Sequence, residues 1–235
     1  MKKIVAMIFA RKGSKGLPNK NIKSFCGRPL FVWSIIHAKS IPDIQRVIVS
    51  TDSEEIARIA IKHGAEVPFM RPASLAQDDS PEWLSWQHAI NYLKMSEGSI
   101  PDVMVSIPPT SPLRNPGDIK KAIDTFLKGS VDVVLTYTNS IRNPFFNMLL
   151  EGNDGYLKLV NESKVTRRQE APKTFDISTV AYVVDPNFVM NKNSIHEGRI
   201  LGIEISRLSS IDIDTIEDFE IAEYFFKRNK KNEDN

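Results

Sequence analysis

Two groups of charged residues, near opposite ends of the chain, have the types and spacing for phosphate chemistry. The first lies in "FARKGSKGLPNKNIK" (9–23), where Gly13, Gly16 and Pro18 are interleaved with Arg11 and four lysines. After a strand, the N–H groups of a glycine-rich turn can converge on phosphate oxygens. Arg11 could fork onto a phosphate, and Lys20 could supply a point charge. Neither G-x-G-x-x-G nor G-x-x-x-x-G-K-[ST] occurs, which excludes the usual dinucleotide and P-loop seats. A solvated basic loop accounts for the same residues, and composition alone leaves both readings open.

The second group is "SSIDIDTIEDFE" (209–220), with Asp212 and Asp214 two apart in an extended segment. That spacing puts both carboxylates on one side of the backbone. Adjacent carboxylates repel unless a cation lies between them or one is protonated. Mg²⁺ takes carboxylate oxygens together with substrate phosphates. Capping of the final helix by Asp214 or Thr215 explains the pattern equally well.

Other segments carry less. "IPPTSPLRNP" (107–116) follows a strand end, is stiffened by prolines, and holds Arg114 in what reads as a loop-tying role. "RRQEAP" (167–172) offers Arg167, Arg168 and Gln169, which could hold a carboxylate or form a solvated face. The four histidines show no ligand spacing, arguing against zinc. No G-x-S-x-G is present, arguing against an α/β-hydrolase.

The elements that must position these groups alternate. Strand patterns are read at 3–10, 46–51, 102–108, 131–138, 179–184 and 199–205. Helices are expected at 29–41, 52–64, 80–95, 115–129 and 215–229. Asp52 with Glu55 and Thr215 with Asp218 stand at capping-box spacing, and Ser80 before Pro81 reads as an N-cap. Trp83, Trp86, Ile90 and Leu93 share a helical face. The alternation predicts an α/β fold with a parallel-dominated sheet and helices on both faces. It breaks at 139–178, where "FFNMLL" and "EGNDG" read as a hairpin or arm bearing apolar residues off the core. Apolar surface on an arm suggests an oligomer contact. The tail "KKNEDN" is charged and expected to fray.

The 235 residues suit one α/β domain over 1–235, with 139–178 as its protruding arm. A net charge of +2 gives no support for bulk nucleic-acid or membrane binding, so any basic site is local. A single cysteine, Cys26, precludes an internal disulfide and fits a reducing cytoplasm. The apolar run at the N-terminus is cut at eight residues by Arg11 and Lys12, unlike a signal peptide.

"ARKGSKGLPNKNIK", "VIVSTDSEEIARIAIKHGAEVPFMRPASLAQDDS", "PPTSPLRNPGDI", "RRQEAP" and "SIDIDTIEDFEIAE" together resemble the acylneuraminate cytidylyltransferase family in order and spacing. The resemblance covers nearly the whole chain. It implies a Rossmann-like, three-layer nucleotide-diphospho-sugar transferase fold with a mixed, mostly parallel sheet and a small dimerisation arm. It implies Mg²⁺-dependent nucleotidyl transfer from CTP to an acidic ketosugar in a homodimer. Carried over residue by residue, Arg11, Ser14, Lys20, Asn21 and Arg71 would bind the nucleotide. Arg11, Lys20, Asp212 and Asp214 would be catalytic, with the two aspartates as metal ligands. Arg168, Gln169 and Tyr182 would bind the sugar, each arm completing its partner's site.

The departures from the family pattern cluster on the sugar side. Pro108 stands where a sugar-contacting glutamine is usual, and Asp176 where an arginine is usual. Ser178 and Thr179 replace an Asn-Gly pair, and Glu82 replaces a base-contacting serine. These changes imply retained phosphate handling with altered sugar recognition. They point to another nonulosonate, such as a legionaminate, or to a 3-deoxy-octulosonate-type sugar. A different nucleotide, or a paralogue that binds nucleotide without turnover, are the competing expectations.

Overall fold

A computed structural model describes residues 2–233. The chain runs through β1 (Ile4–Phe9), β2 (Ser24–Phe25), β3 (Arg28–Pro29), α1 (Leu30–Lys39), β4 (Arg46–Ser50) and α2 (Glu54–Lys62). It continues as α3 (Glu82–Glu97), β5 (Val103–Ser106), α4 (Pro116–Leu127) and β6 (Val133–Asn139). A hairpin of β7 (Leu149–Glu151) and β8 (Leu157–Leu159) follows, then β9 (Phe175–Val184), α5 (Pro186–Asn191), β10 (Ile200–Glu204) and α6 (Ile216–Glu233).

Six strands form one sheet in the order β10-β6-β9-β5-β1-β4. Their pairings are parallel except for the two made by β9. Alternate side chains of β1 show why the sheet needs cover on both faces. Ile4, Ala6 and Ile8 pack with α1, α2 and α4, whereas Val5, Met7 and Phe9 pack with α3 and α5. Strands buried on both faces read as unbroken apolar runs, which is how "KIVAMIFA" reads. The expected face of Trp83, Trp86, Ile90 and Leu93 is buried against this second layer.

A third apolar cluster positions the loops. Leu17 from the first loop, Phe25, Leu30, Trp33, Ile213 and Phe219 pack together. Phe25 stands edge-on to Phe219 and Phe226 of α6, with centroids 5.3 and 5.4 Å away. The chain's first loop and the approach to its last helix are thus packed as one body.

Several boundaries differ from expectation. Ser53, not Asp52, caps α2, accepting from the Ile56 N–H. Asp52 is drawn to the first loop, where its carboxylate accepts from the Lys12 N–H at 2.9 Å. α3 starts at Glu82 behind Pro81 with no side-chain cap, because the Ser80 hydroxyl donates to the Ser74 carbonyl instead. The Thr215–Asp218 capping box does form: Thr215 N–H donates to Asp218 at 2.9 Å, and Asp218 N–H to the Thr215 hydroxyl at 3.2 Å. α6 extends to Glu233, so the helix runs past the expected end at 229. Asn235 and its neighbour at 234 lie outside the described residues.

The irregular segment also ends earlier than 178. Phe175–Ser178 belong to β9 and pair with β6, beyond a register shift between Leu135 and Thr136. Phe175, Asp176, Ile177 and Ser178 alternate apolar and polar, a short strand pattern whose partner on β6 only the structure reveals. The β7–β8 hairpin exposes Leu149 (56%) and Leu157 (64%), and Phe175 and Ile177 on β9 are also exposed.

Phe25 has no solvent exposure. Phe25→Ala is expected to lower unfolding free energy by about 3–5 kcal/mol. Urea denaturation followed by circular dichroism measures this, and a loss below about 1 kcal/mol would contradict the packing described.

Candidate active site

A cleft of about 360 Å³ opens at the carboxyl ends of β1, β4 and β5, where open α/β sheets hold their ligands. The turn after β1 brings Arg11, Ser14, Lys20 and Asn21 to it, and the segment before α6 brings Asp212 and Asp214. Arg71 arrives from the end of β4, because its N–H donates to the Thr51 carbonyl at 2.8 Å. Tyr182 reaches in from β9. One cleft therefore gathers eight of the ten residues singled out from the sequence.

The two charged groups meet directly. Lys20 Nζ lies 2.9 Å from Asp214 Oδ1 and donates to the Ile213 carbonyl at 2.5 Å. Lys20 is 9% exposed, so these partners compensate an ammonium largely withdrawn from water. The loops approach so closely that a Cβ on Gly16 would lie 2.4 Å from the Asp214 carbonyl oxygen. Only glycine permits that approach without a shift. Ile213 N–H donates to the Thr110 carbonyl at 2.9 Å, joining the proline-rich loop to the same assembly. Thr215 provides the helix cap, which leaves the Asp214 carboxylate to Lys20.

The other cations are held differently. Arg11 pairs with Asp78 at 2.7 Å, and Lys15 meets the same carboxylate at 3.1 Å. Asn21 donates its amide to the Arg11 carbonyl at 2.9 Å, bracing the loop. Arg71 is buried, with Nη1 3.4 Å from the Ser85 hydroxyl and Nη2 3.9 Å from Asp52. Burial pulls its pKa below the usual guanidinium value. Arg114 ties the proline loop down, donating from Nε to the Ser111 carbonyl at 2.6 Å and from Nη2 to the Pro108 carbonyl. Desolvation pulls Arg114 down to about 9, with Asp212 acting against it.

Glu82 is an exposed residue that lines the cleft, with one carboxyl oxygen against the Trp86 indole N–H. Loss of solvent there raises its pKa; the Trp86 indole N–H, 2.9 Å from Oε1, and the Arg71 charge act against the rise. Desolvation, reinforced by the negative charges of Glu82 and Asp212, pushes the Tyr182 phenol up to about 12. It therefore remains a hydrogen-bond donor at neutral pH.

The aspartate pair suits a hard cation. Asp212 Oδ1 is buried without a hydrogen-bond partner among the described residues, and both carboxylates line the cleft. Among the described residues there is no group of three or more His, Cys, Asp or Glu side chains placed for a metal. Two carboxylates with the balance of the shell from phosphate and water is the Mg²⁺ pattern, and Asp212 and Asp214 fit it.

Arg168 and Gln169 do not reach the cleft within one chain. They lie on an exposed turn of the arm, where Arg168 Nη2 donates to the Ser140 and Ile141 carbonyls at 3.1 and 2.9 Å. Three charged residues were missed as contributors. Asp78 sits in a stretch without periodicity, and Lys15 lies within the quoted basic loop. Arg207 lines a second cavity beside the cleft, and its signal is its place three residues beyond β10, at a strand's carboxyl end. Among the described residues, no helix is long and apolar enough to cross a membrane.

The chain is 35% identical over 97% of its length to post-translational flagellin modification protein B of Campylobacter coli, covering 96% of that protein. It is 32% identical over 95% of its length to a CMP-N,N'-diacetyllegionaminic acid synthase of Campylobacter jejuni, covering 95% of it. In fold it is similar to a CMP:2-keto-3-deoxy-manno-octonic acid synthetase complexed with CTP. That match has a TM-score of 0.71 at 14% identity, covering 97% of this chain and 99% of the other. The family model described as cytidylyltransferase matches residues 5–231. With the strand-end cleft, the basic turn and the acidic pair already in place, this match shows that the chain belongs to the cytidylyltransferase family.

Proposed function

We propose that the protein is a Mg²⁺-dependent cytidylyltransferase that activates an acidic 3-deoxy ketosugar of the nonulosonate type with CTP, giving the CMP-sugar and pyrophosphate. The observation that carries this reading is the 2.9 Å contact between Lys20 and Asp214, which sets the basic turn and the acidic pair across one cleft. The legionaminate relative supports the sugar class, as do the departures at Pro108, Asp176, Ser178 and Thr179.

In this reading the triphosphate lies along the turn from Arg11 to Lys20. The anomeric hydroxyl of the sugar attacks the α-phosphorus, a new P–O bond forms, and the bond to the β-phosphate bridging oxygen breaks. Pyrophosphate leaves and the hydroxyl proton passes to water. Arg11 and Lys20 neutralise the departing pyrophosphate. Arg11 exchanges Asp78 for phosphate oxygens, and Ser14 and Asn21 hold the turn against them. Arg71 contacts the base. Asp212 and Asp214 would hold Mg²⁺, which supplies positive charge at the phosphate oxygens and acidifies the attacking hydroxyl. Tyr182 donates a hydrogen bond towards the sugar.

The exposed apolar arm supports a homodimer, in which Arg168 and Gln169 of one protomer contact the sugar bound by its partner. A cytoplasmic location fits the single cysteine.

Pyrophosphate release from CTP, Mg²⁺ and a panel of acidic sugars tests the reading. The panel holds N,N'-diacetyllegionaminate, its diastereomers, N-acetylneuraminate and a 3-deoxy-octulosonate. Release with CTP and a nonulosonate is expected, and tight CTP binding without release from any sugar would indicate a non-catalytic paralogue. Asp214→Asn is expected to lower turnover by about 100-fold or more, with the chain still folded but a lower melting temperature because Lys20 loses its carboxylate partner; normal turnover would remove Asp214 from the metal site.

Gly16→Ala tests the clamp itself. The added methyl must push Asp214 away, and a misplacement near 1 Å can cost about 100-fold. Turnover is expected to fall by that order with the circular dichroism spectrum unchanged. Parent-like activity would show that the close approach is not needed.

A further inference from the structure

Beside the cleft lies a second cavity of about 190 Å³. The two share Thr179 and Asp212 on their walls, so they lie side by side. Arg207, from the loop after β10, and Asp176, from the outer half of β9, both line the second cavity. They are not joined by an ion pair, and Arg207 has no carboxylate partner among the described residues. Asp176 is instead oriented by the Ser140 hydroxyl, which donates to Oδ1 at 2.6 Å.

Two opposite charges facing one cavity without neutralising each other make a bipolar seat. It suits a ligand carrying an anionic group at one point and a hydrogen-bond donor at another. A guanidinium matches a carboxylate by two parallel N–H bonds, and a carboxylate accepts from hydroxyl or amide N–H groups. The cavity's position past Asp212 suits the acceptor rather than the nucleotide.

We propose that Arg207 binds the carboxylate of the acidic sugar in the second cavity, and that Asp176 accepts a hydrogen bond from a hydroxyl or amide N–H of the same sugar. This rests on the cytidylyltransferase reading and deepens it.

The test compares N,N'-diacetyllegionaminate with its C1 carboxamide on the parent, Arg207→Gln and Arg207→Lys. Pyrophosphate release is the first readout. Calorimetric binding of each sugar, in the presence of a non-hydrolysable CTP analogue and Mg²⁺, is the second. The parent is expected to favour the carboxylate by about tenfold or more, the scale of a charged hydrogen bond. Arg207→Gln should bring the two sugars within about threefold while the CTP requirement stays within about twofold. Arg207→Lys should retain an intermediate preference, and it keeps the test open should the glutamine variant fold poorly.

An unchanged carboxylate preference in Arg207→Gln overturns the assignment while leaving the overall reaction standing. Sugar binding that depends on Arg207 without any pyrophosphate release overturns the reaction but upholds the seat. A parent that neither binds nor turns over acidic sugars overturns both. Asp176→Asn should weaken the carboxylate and carboxamide sugars equally, because it acts on another part of the ligand; a selective effect on one of them would contradict its role.

Discussion

The structure depends on how closely the first loop lies against the segment before the last helix. Lys20 reaches the Ile213 carbonyl and the Asp214 carboxylate, and Gly16 leaves no room for a side chain between the two backbones. Beneath them, Leu17, Phe25, Ile213 and Phe219 form one apolar cluster. An ammonium this shielded is costly without partners, so the polar contact and the apolar cluster favour the same arrangement. Residues nearly two hundred positions apart are thereby fixed relative to each other before any ligand arrives.

Charge balance within the cleft follows from that arrangement. Arg11, Lys15 and Lys20 are each paired with a carboxylate, Asp78 or Asp214. The carboxylates orient these cations and offset part of their mutual repulsion in the free protein. A polyphosphate bound there, as proposed, would take over these partners rather than meet bare charge, exchanging one set of ion pairs for another. Electrostatics of this kind favours placement and discrimination more than raw affinity. A chain with a net charge of only +2 can hold a strongly basic seat in this way.

Much of the architecture is legible in the sequence because strands buried on both faces leave uninterrupted apolar runs between capped helices. β1 is of that kind, as is β5 up to its final serine. The start of β9 is not, because Asp176 and Ser178 line a cavity instead of a core and break the pattern. Capping at Thr215 was readable from spacing, whereas Asp52 was misread because a loop distant in sequence claims its carboxylate. In the cleft, Arg11, Lys20, Asp212 and Asp214 were visible through residue type. The Arg11–Asp78 pairing was not, since it joins two irregular segments and nothing periodic marks either side. Arg207 carries no motif and is found only when the end of β10 is placed in space.

β9 runs unbroken from the exposed arm to the middle of the sheet. Phe175 and Ile177 face outward at one end, Asp176, Ser178 and Thr179 line the second cavity, and Tyr182 touches the cleft. β9 therefore links the arm to both cavities, with an irregularity in its pairing to β6 between Ser178 and Tyr182. A twist or slide imposed on the arm by a neighbouring molecule would meet that irregularity before it reached Tyr182. Ten consecutive residues thus join the exposed arm to the walls of both cavities.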